Sequence, residues 1–473
     1  MKRREFIGAA LGAAAAGIIS GGKARAAQGR RPNVLFILTD DQRRDTIHAL
    51  GNSVIRTPTY DSLVEDGVTF KNAYCMGGNS AAVCAPSRQS LLRGVSWFSI
   101  DKVKRSDPCL PRTMNEAGYI TYHLGKRFNN DSRSLSFFQY NHYLEPSEKE
   151  ARAGGEPDRY LADHSIAFLR RWKKGALPEG RKPFFMYLAG ASPHDPRIAP
   201  PEYLDLYPLD QIPLPPNLLP FHPFDNGELL VRDEFLAPWP RDEETIRAHL
   251  RDYYAVITYQ DEQCARILNE LRDLGEYDNT IIVFASDNGL ALGSHGLMGK
   301  QNLYEHGMGV PLVISGPGIP KGKASNALSY LFDLYPTLCD FAGAPVPASL
   351  EGKSLAPVIR GEVDSVRDSI LLGYKKYQRA VRQGDWKLIR YPEVEVTQLF
   401  NLSSDPHETR DLALDQKQGE RIEELSNFMR QQQAHFGDRL SLNAPCPRKA
   451  EVGLDYFRSP KAKWHEMIWS AIE

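Results

Sequence analysis

Cysteine, proline, serine and arginine stand close together in Cys84-Ala85-Pro86-Ser87-Arg88, with Leu91, Leu92 and Gly94 following. Pro86 suits the first turn of a helix, where its missing N–H is not needed and its φ is already helical, and Gly94 suits an end. A short helix is therefore expected over about 86 to 94. Position 84 then lies just before a helix N-terminus, where free N–H groups and the positive end of the dipole favour a bound anion. Arg88, one turn further on, carries a fork of donors matched to oxyanions and carboxylates. The plain alternative is an ordinary buried thiol beside an ordinary surface charge.

Two acidic pairs add a second kind of chemistry. Asp40-Asp41 closes the apolar run 33–39, and Asp287-Asn288 closes the apolar run 280–286. Either pair alone reads as a turn or a helix cap. Together, at the ends of matching strands, they offer oxygen ligands for a hard cation, with Ca2+ first and Mg2+ as the alternative. Gly125-Lys126 ends a further strand, and Ser192-Pro193-His194-Asp195-Pro196 follows another. Histidine titrates in a range suited to general-acid work, which makes His194 a candidate. Lys300 sits in a glycine-rich segment after Asn288, where an ammonium serves as a point charge for an anion. His295 in the same segment either touches substrate or holds the loop.

The 84–88 motif resembles the C-x-P-S-R signature of type I, formylglycine-dependent sulfatases of the alkaline-phosphatase-like superfamily. The segments around Asp40-Asp41, Lys126, His194, Asp287 to Glu305 and Leu350 to Leu355 stand in that family's order, and the chain resembles exported bacterial carbohydrate sulfatases and iduronate-2-sulfatase-like proteins. The resemblance implies that Cys84 is oxidised to formylglycine, whose hydrated aldehyde attacks sulfur. It further implies Asp40, Asp41, Asp287 and Asn288 as metal ligands, Lys126, Lys300 and Arg88 against the sulfate, and His194 protonating the leaving alcohol. His295 and Arg197 are candidates to bind substrate, and Trp97, Phe98, Arg379 and Arg382 to line the cleft. Phe128 departs from the pattern, since the family commonly has histidine there; Asn129 or His123 then covers the role, or a sulfated intermediate breaks down slowly. The implied partners are a sulfated carbohydrate or small sulfate ester and, before export, a formylglycine-generating enzyme. A phosphonate or phosphate ester hydrolase of the same fold, or a catalytically weak glycan-binding relative, are the other readings.

These residues need a frame to hold them. Fully apolar strands such as 33–39, 183–190 and 280–286 imply a sheet covered on both faces, and the carboxyl ends of such strands are where open α/β sheets bind ligands. The expected fold is α/β, a large, mostly parallel sheet sandwiched by helices, with a small C-terminal antiparallel sheet plus helix. The expected divisions are a signal segment over 1–26, a catalytic domain over 27–361, a small subdomain over 362–439 and a surface tail over 440–473. The stretch 200–240, with ten prolines, reads as a long irregular surface loop. Lys2-Arg3-Arg4, a short Ala/Gly-rich apolar run and Ala24-Arg25-Ala26 form a twin-arginine-type export signal with no stable membrane insertion. Six cysteines in 473 residues are too sparse for a disulfide framework, with Cys75 and Cys109 the one pair considered. A net charge of −1 without a block of like charges excludes nucleic acid as a partner.

Overall fold

All seven residues of the strand Asn33–Thr39 are buried. Val34, Phe36 and Leu38 point into one apolar cluster while Leu35 and Ile37 point into another, so the sheet has a core on each face. That two-sided burial is what an uninterrupted apolar strand requires. The computed structural model describes residues 30–127, 131–144 and 157–457. The export segment over 1–26 and Phe128 with Asn129 lie outside the described residues.

Among the described residues the strands run, in chain order, β1 Asn33–Thr39, β2 Gly67–Tyr74, β3 Gly77–Gly78, β4 Ile120–Lys126, β5 Tyr140–Leu144, β6 Phe184–Ala189, β7 Thr280–Ser286, β8 Gly309–Val310, β9 Leu312–Ser315, β10 Lys323–Tyr330, β11 Ser369–Tyr374, β12 Gln378–Gln383, β13 Trp386–Tyr391 and β14 Val396–Asn401. The large sheet has the order β10-β2-β9-β7-β1-β6-β4-β5, with β8 pairing β2. β7, β1, β6, β4 and β5 are mutually parallel, and β9 runs against both β7 and β2. In register Thr39 faces Ser286, and Ala189 faces both Leu38 and Gly125. Four parallel strands therefore end at one edge; Lys126 is the last residue of β4, and Asp40, Ser192 and Asp287 follow within three residues of the ends of β1, β6 and β7. Gly125 permits this closeness: a Cβ there would lie 2.3 Å from the Ala189 carbonyl oxygen.

Helices cover both faces. Cys84–Arg93 packs Leu91 and Leu92 onto one face, and the long helix Glu243–Asp273 packs Tyr253, Ile257 and Leu268 onto the other. The smaller sheet has the order β14-β13-β12-β11-β3, antiparallel except where β3 joins β11, and Gly419–Phe436 packs on it. β12 to β14 and the helix match the expected elements; β11 and the two-residue β3 do not appear in the sequence pattern. The proline-rich stretch 200–240 is irregular as expected, yet it is not simply surface: Leu229, Leu230, Val231, Asp233 and Glu234 are buried. In the tail, Leu442 and Phe457 are buried and Arg448 pairs with Asp225 and Glu393. All six cysteines are unbridged, Cys75 and Cys109 included. No helix among the described residues is long and apolar enough to cross a membrane.

The two sheets are joined by a buried charge cluster. Glu305 accepts from Tyr74 Oη at 2.8 Å and pairs with Arg44 at 2.8 Å, and Lys387 Nζ lies 2.8 Å from both Glu305 and Glu408. Burial works against the Glu305 carboxylate, but Lys387, Arg44 and Arg382 hold it well below the usual range. Lys387→Met would leave two acids without their shared cation, an uncompensated buried charge of the kind that costs about 3–5 kcal/mol. Denaturant unfolding of that variant is expected to show a loss of that size, and a loss under about 1 kcal/mol would mean the joint is held by packing alone.

Candidate active site

The helix over 84–93 forms where Pro86 and Gly94 predict it and begins at Cys84 itself. Gly94 closes it at φ 67°, its amide donating to the Ser90 carbonyl at 2.7 Å. From this helix Arg88 reaches two strand ends. Its Nε donates to Asp287 Oδ2 at 2.7 Å and its Nη2 to Asp40 Oδ2 at 2.7 Å, with Gly190 O at 3.2 Å, and the side chain is fully buried. The fork is thus directed at two carboxylates. Ser87 Oγ donates to the Asp287 carbonyl at 2.6 Å and fixes the same junction.

Around this tether the other charges gather. Lys126 Nζ lies 2.8 Å from Asp40 Oδ2, and Lys300 Nζ donates to Asp41 Oδ1 at 2.7 Å and Oδ2 at 2.9 Å. Asn288 Nδ2 donates to Asp41 Oδ1 at 2.7 Å, and the Asp41 amide donates to Asp287 Oδ1 at 3.1 Å. Asp41 takes up a left-handed φ of 67°, a conformation aspartate tolerates better than most residues. The Cys84 sulfur and oxygens of Asp40 and Asp287 lie within 4.8 Å of one another, as do oxygens of Asp40 and Asp41 and a ring nitrogen of His194. Three acids and three permanent cations share one buried volume.

Two oxygens in that volume, Asp40 Oδ1 and Asn288 Oδ1, are buried with no hydrogen-bond partner. Leaving a buried acceptor unmet is costly, and hard cations bind such oxygens. Asp40, Asp41, Asp287 and Asn288 therefore fit a divalent cation by donor type and by what they lack. Burial opposes charge on Asp40, but Lys126, Arg88, His194 and Lys300 hold its carboxyl well below the usual range. Burial, and then the charge on Asp40, push Asp287 the other way, above the usual range and against the pull of Arg88. The Cys84 thiol is pushed up to about 12 by burial, so unmodified it is not a thiolate at neutral pH.

His194 closes the open side. Its Nδ1 donates to the Asp195 carbonyl at 2.7 Å, which leaves Nε2 as the acceptor nitrogen, 3.7 Å from Asp41 Oδ2. Burial and Lys300, opposed by Asp41, push the imidazole down to about 4. Cys84, Asp40 and Arg88 are sealed, whereas Lys126 is 20%, His194 16% and Arg232 33% exposed, so access runs along that edge.

Other candidates sit elsewhere. His295 stacks on Tyr304 at 3.8 Å and turns its Nε2 to the Asn217 amide at 3.1 Å, contacts that hold the glycine-rich loop and touch none of the acid cluster. His123 is a packed core residue with Nδ1 2.8 Å from Asn141 Oδ1 and its ring against Tyr187 and Phe138. Trp97 and Phe98 stack on each other, and Arg379 lies over them while binding Asp438, so these three close the joint to the small sheet. Arg382 belongs to the Glu305 cluster. Arg197 lies over the Tyr253 ring at 5.6 Å, and Tyr253 Oη donates to the Asp41 carbonyl at 2.5 Å.

Residues without a sequence signal complete the site. Arg232 pairs with Asp195 and Asp233, Gln301 donates to Asp233 at 2.7 Å, and Glu234 accepts from the amides of Met298 and Gly299 at 2.9 Å. Behind His194, Ser192 Oγ donates to Asp158 at 2.5 Å and Gln260 Nε2 donates to the Ser192 carbonyl at 3.0 Å. These partners come from distant helices and loops, and only the large sheet's topology brings them together.

A family model described as Sulfatase matches residues 32–344, about two thirds of the chain. The chain belongs to the sulfatase family. A second match, described as N-sulphoglucosamine sulphohydrolase, C-terminal, covers residues 293–435. N-acetylglucosamine-6-O-sulfatase of Bacteroides thetaiotaomicron is 26% identical, the alignment covering 86% of this chain and 87% of that one. Choline-sulfatase of Rhizobium meliloti is 28% identical over 81% and 82% of the two chains. A solved structure described as a complex with its substrate D-glucosamine-2-N,6-O-disulfate superposes with a TM-score of 0.72 at 25% identity, covering 87% of this chain and 99% of that one. Phosphonate monoester hydrolase from Silicibacter pomeroyi superposes at 0.70 and 22% identity over 89% and 99%, a likeness of fold. This sulfatase is a type I member of the alkaline-phosphatase-like superfamily and a sulfuric ester hydrolase.

Asp158 gives a test of the support behind His194. Burial raises its pKa from 3.8 to about 6 against the hydrogen bonds from Ser192 and Gln260. A folded-state value above the unfolded one gives stability that is complete below about pH 4 and lost as pH rises through about 6. Asp158→Asn removes the charge and keeps both contacts, with Oδ1 accepting from Gln260 and Nδ2 donating to the Ser192 hydroxyl, which turns to accept. Denaturant unfolding is expected to find it more stable than wild type by about 1 kcal/mol at pH 4.5 and by about 3 kcal/mol at pH 8. Equal stability differences at the two pH values would mean that Asp158 stays ionised in the fold.

Proposed function

We propose that this sulfatase removes sulfate from a sulfated carbohydrate, with residue 84 as formylglycine and a divalent cation, Ca2+ first, on Asp40, Asp41, Asp287 and Asn288. The observation that carries the reading is the convergence of the 84–88 helix, four oxygen donors and two lysines at one sheet edge, beside a thiol that burial keeps protonated. The substrate class is supported by relatives named for sulfated sugars. A hydrated formylglycine supplies one hydroxyl to attack sulfur and a second whose loss of a proton expels sulfate. A bound cation supplies positive charge against the sulfate oxygens and the attacking hydroxyl.

The chain's own groups do the rest. Lys126 and Lys300 place ammonium charges on either side of the reacting volume and absorb charge that develops on the sulfate oxygens. Arg88, bound to Asp40 and Asp287, keeps the ligand oxygens fixed and the helix seated. Asp195 holds His194 with Nε2 toward the leaving oxygen. Burial first and Lys300 second keep the imidazole neutral at rest; a sulfate between the two lysines would offset the Lys300 contribution, and His194 would then take a proton from solvent and deliver it from Nε2 to the departing alkoxide. Conversion of Cys84 by a formylglycine-generating enzyme before twin-arginine export completes the proposal.

Inorganic sulfate released from a panel of sulfated mono- and oligosaccharides tests this directly. Release is expected from at least one sugar and none from Cys84→Ala. Retention of activity in that variant, or a peptide carrying unmodified Cys84 in active enzyme, would overturn the nucleophile. His194→Ala is expected to lose about 10²–10⁴-fold on a sugar sulfate and far less on an aryl sulfate, whose leaving group needs no proton. A Ca2+ titration is expected to raise the unfolding midpoint of the wild type and to leave Asp41→Ala unmoved, since an ion that binds only the folded state stabilises it.

A further inference from the structure

The buried or half-buried guanidiniums of this chain are, with few exceptions, met by carboxylates: Arg88 by Asp40 and Asp287, Arg241 by Glu234, Arg367 by Asp333, Arg379 by Asp438. Arg197 is not. Its Nη1 donates to His249 Nδ1 at 3.2 Å, while Nε and Nη2 are shielded from solvent with no partner. Because arginine only donates, His249 must accept, so its imidazole brings no negative charge. The carboxylates in the neighbourhood are bound elsewhere: Asp41 to Lys300, Asp233 to Arg232 and Gln301, Asp252 to Arg251.

Position gives the open fork a meaning. Arg197 stands three residues after His194 on the same loop and lies over Tyr253, whose hydroxyl holds the Asp41 backbone. A donor pair left unmet beside a site is costly unless something supplied from outside meets it, and a planar guanidinium is matched to an oxyanion by two parallel hydrogen bonds. We infer that Arg197, positioned by His249 and Tyr253, takes a second anionic group of the substrate, a carboxylate or a further sulfate on the sugar that bears the scissile ester or on its neighbour. The inference rests on the sulfated-carbohydrate reading and narrows it to polyanionic sugars.

The test compares matched sugars that share one sulfate ester and differ at one substituent: a neutral member, an N-sulfated member and a member with an adjoining uronic acid. Wild type is expected to favour one or both anionic members in kcat/KM by about 10- to 100-fold, the scale of a charge-assisted hydrogen-bond pair. Arg197→Ala is expected to collapse that ratio toward one, chiefly through KM, and Arg197→Lys to restore part of it. Preference for the N-sulfated or the uronic member names the source of the anion. Release from all members with equal efficiency in wild type overturns this inference alone, whatever the variants do. So does an anionic preference that Arg197→Ala leaves intact. No release from any member overturns the carbohydrate reading and this inference with it.

Discussion

Arg88 has no water around it, so its charge must be met by protein, and it is met from two strands at once. Asp40 ends β1 and Asp287 ends β7, and the guanidinium binds one oxygen of each at 2.7 Å. Breaking a buried pair leaves an uncompensated charge, which makes this arrangement close to all-or-none. Its consequence is geometric. The helix that carries residue 84 is seated by the same groups whose oxygens form the proposed cation site, so the position of residue 84 and the geometry of that site are set by one constraint. The free oxygens, Asp40 Oδ1 and Asn288 Oδ1, are those the clamp leaves over.

A second buried cluster does for the outer part what Arg88 does for the centre. Glu305 follows the loop that carries Lys300, and it binds Tyr74 of β2, Arg382 of β12 and Lys387 of β13. The large sheet, the small sheet and the lysine loop are therefore tied at one carboxylate. The small sheet is thereby a brace for Lys300, since the loop between Asn288 and Glu305 is anchored at both ends, by Asn288 bonded to Asp41 and by Glu305. The stack of His295 on Tyr304 within this span belongs to the same bracing, which explains a histidine that sits in the loop without facing the acids.

Much of this frame was legible because its signals are local. Apolar runs ending in carboxylates fix parallel strands and the edge where they stop, and Pro86 with Gly94 fixes a helix beside it. Asp40, Asp41, Lys126, Asp287 and Asn288 gather as their places at strand ends imply, and His194 and Lys300 reach them from the loops that follow β6 and β7. What was not legible depends on partners distant in sequence. Arg88 carries a sequence signal for an anion, but not for the two acids 48 and 199 positions away that hold its Nε and Nη2 and leave Nη1 without a partner. Arg379, Arg382, Trp97 and Phe98 looked like cleft residues because charge and aromaticity do not tell which sheet they will join. Asp158, Gln260, Asp233 and Glu234 carry no pattern at all, being ordinary helix and loop residues until the fold turns them toward the site.

The charge balance shows why the centre and its rim behave differently. With all three acids ionised, Asp40, Asp41 and Asp287 are countered by Arg88, Lys126 and Lys300, and the cluster is neutral before anything binds. A sulfate monoanion adds one negative charge and a divalent cation two positive ones, and the lysines can follow the sulfate only if the cation takes over the carboxylates they now hold. Binding of the two is therefore favourably linked through Asp40 and Asp41. Arg197 stands outside this exchange, because no acid of the cluster is released toward it and His249 accepts without charge. Among the described residues its guanidinium is set beside the site with no carboxylate bound to it, and a site that meets one anion with an internally balanced set keeps a separate, unbalanced cation for another.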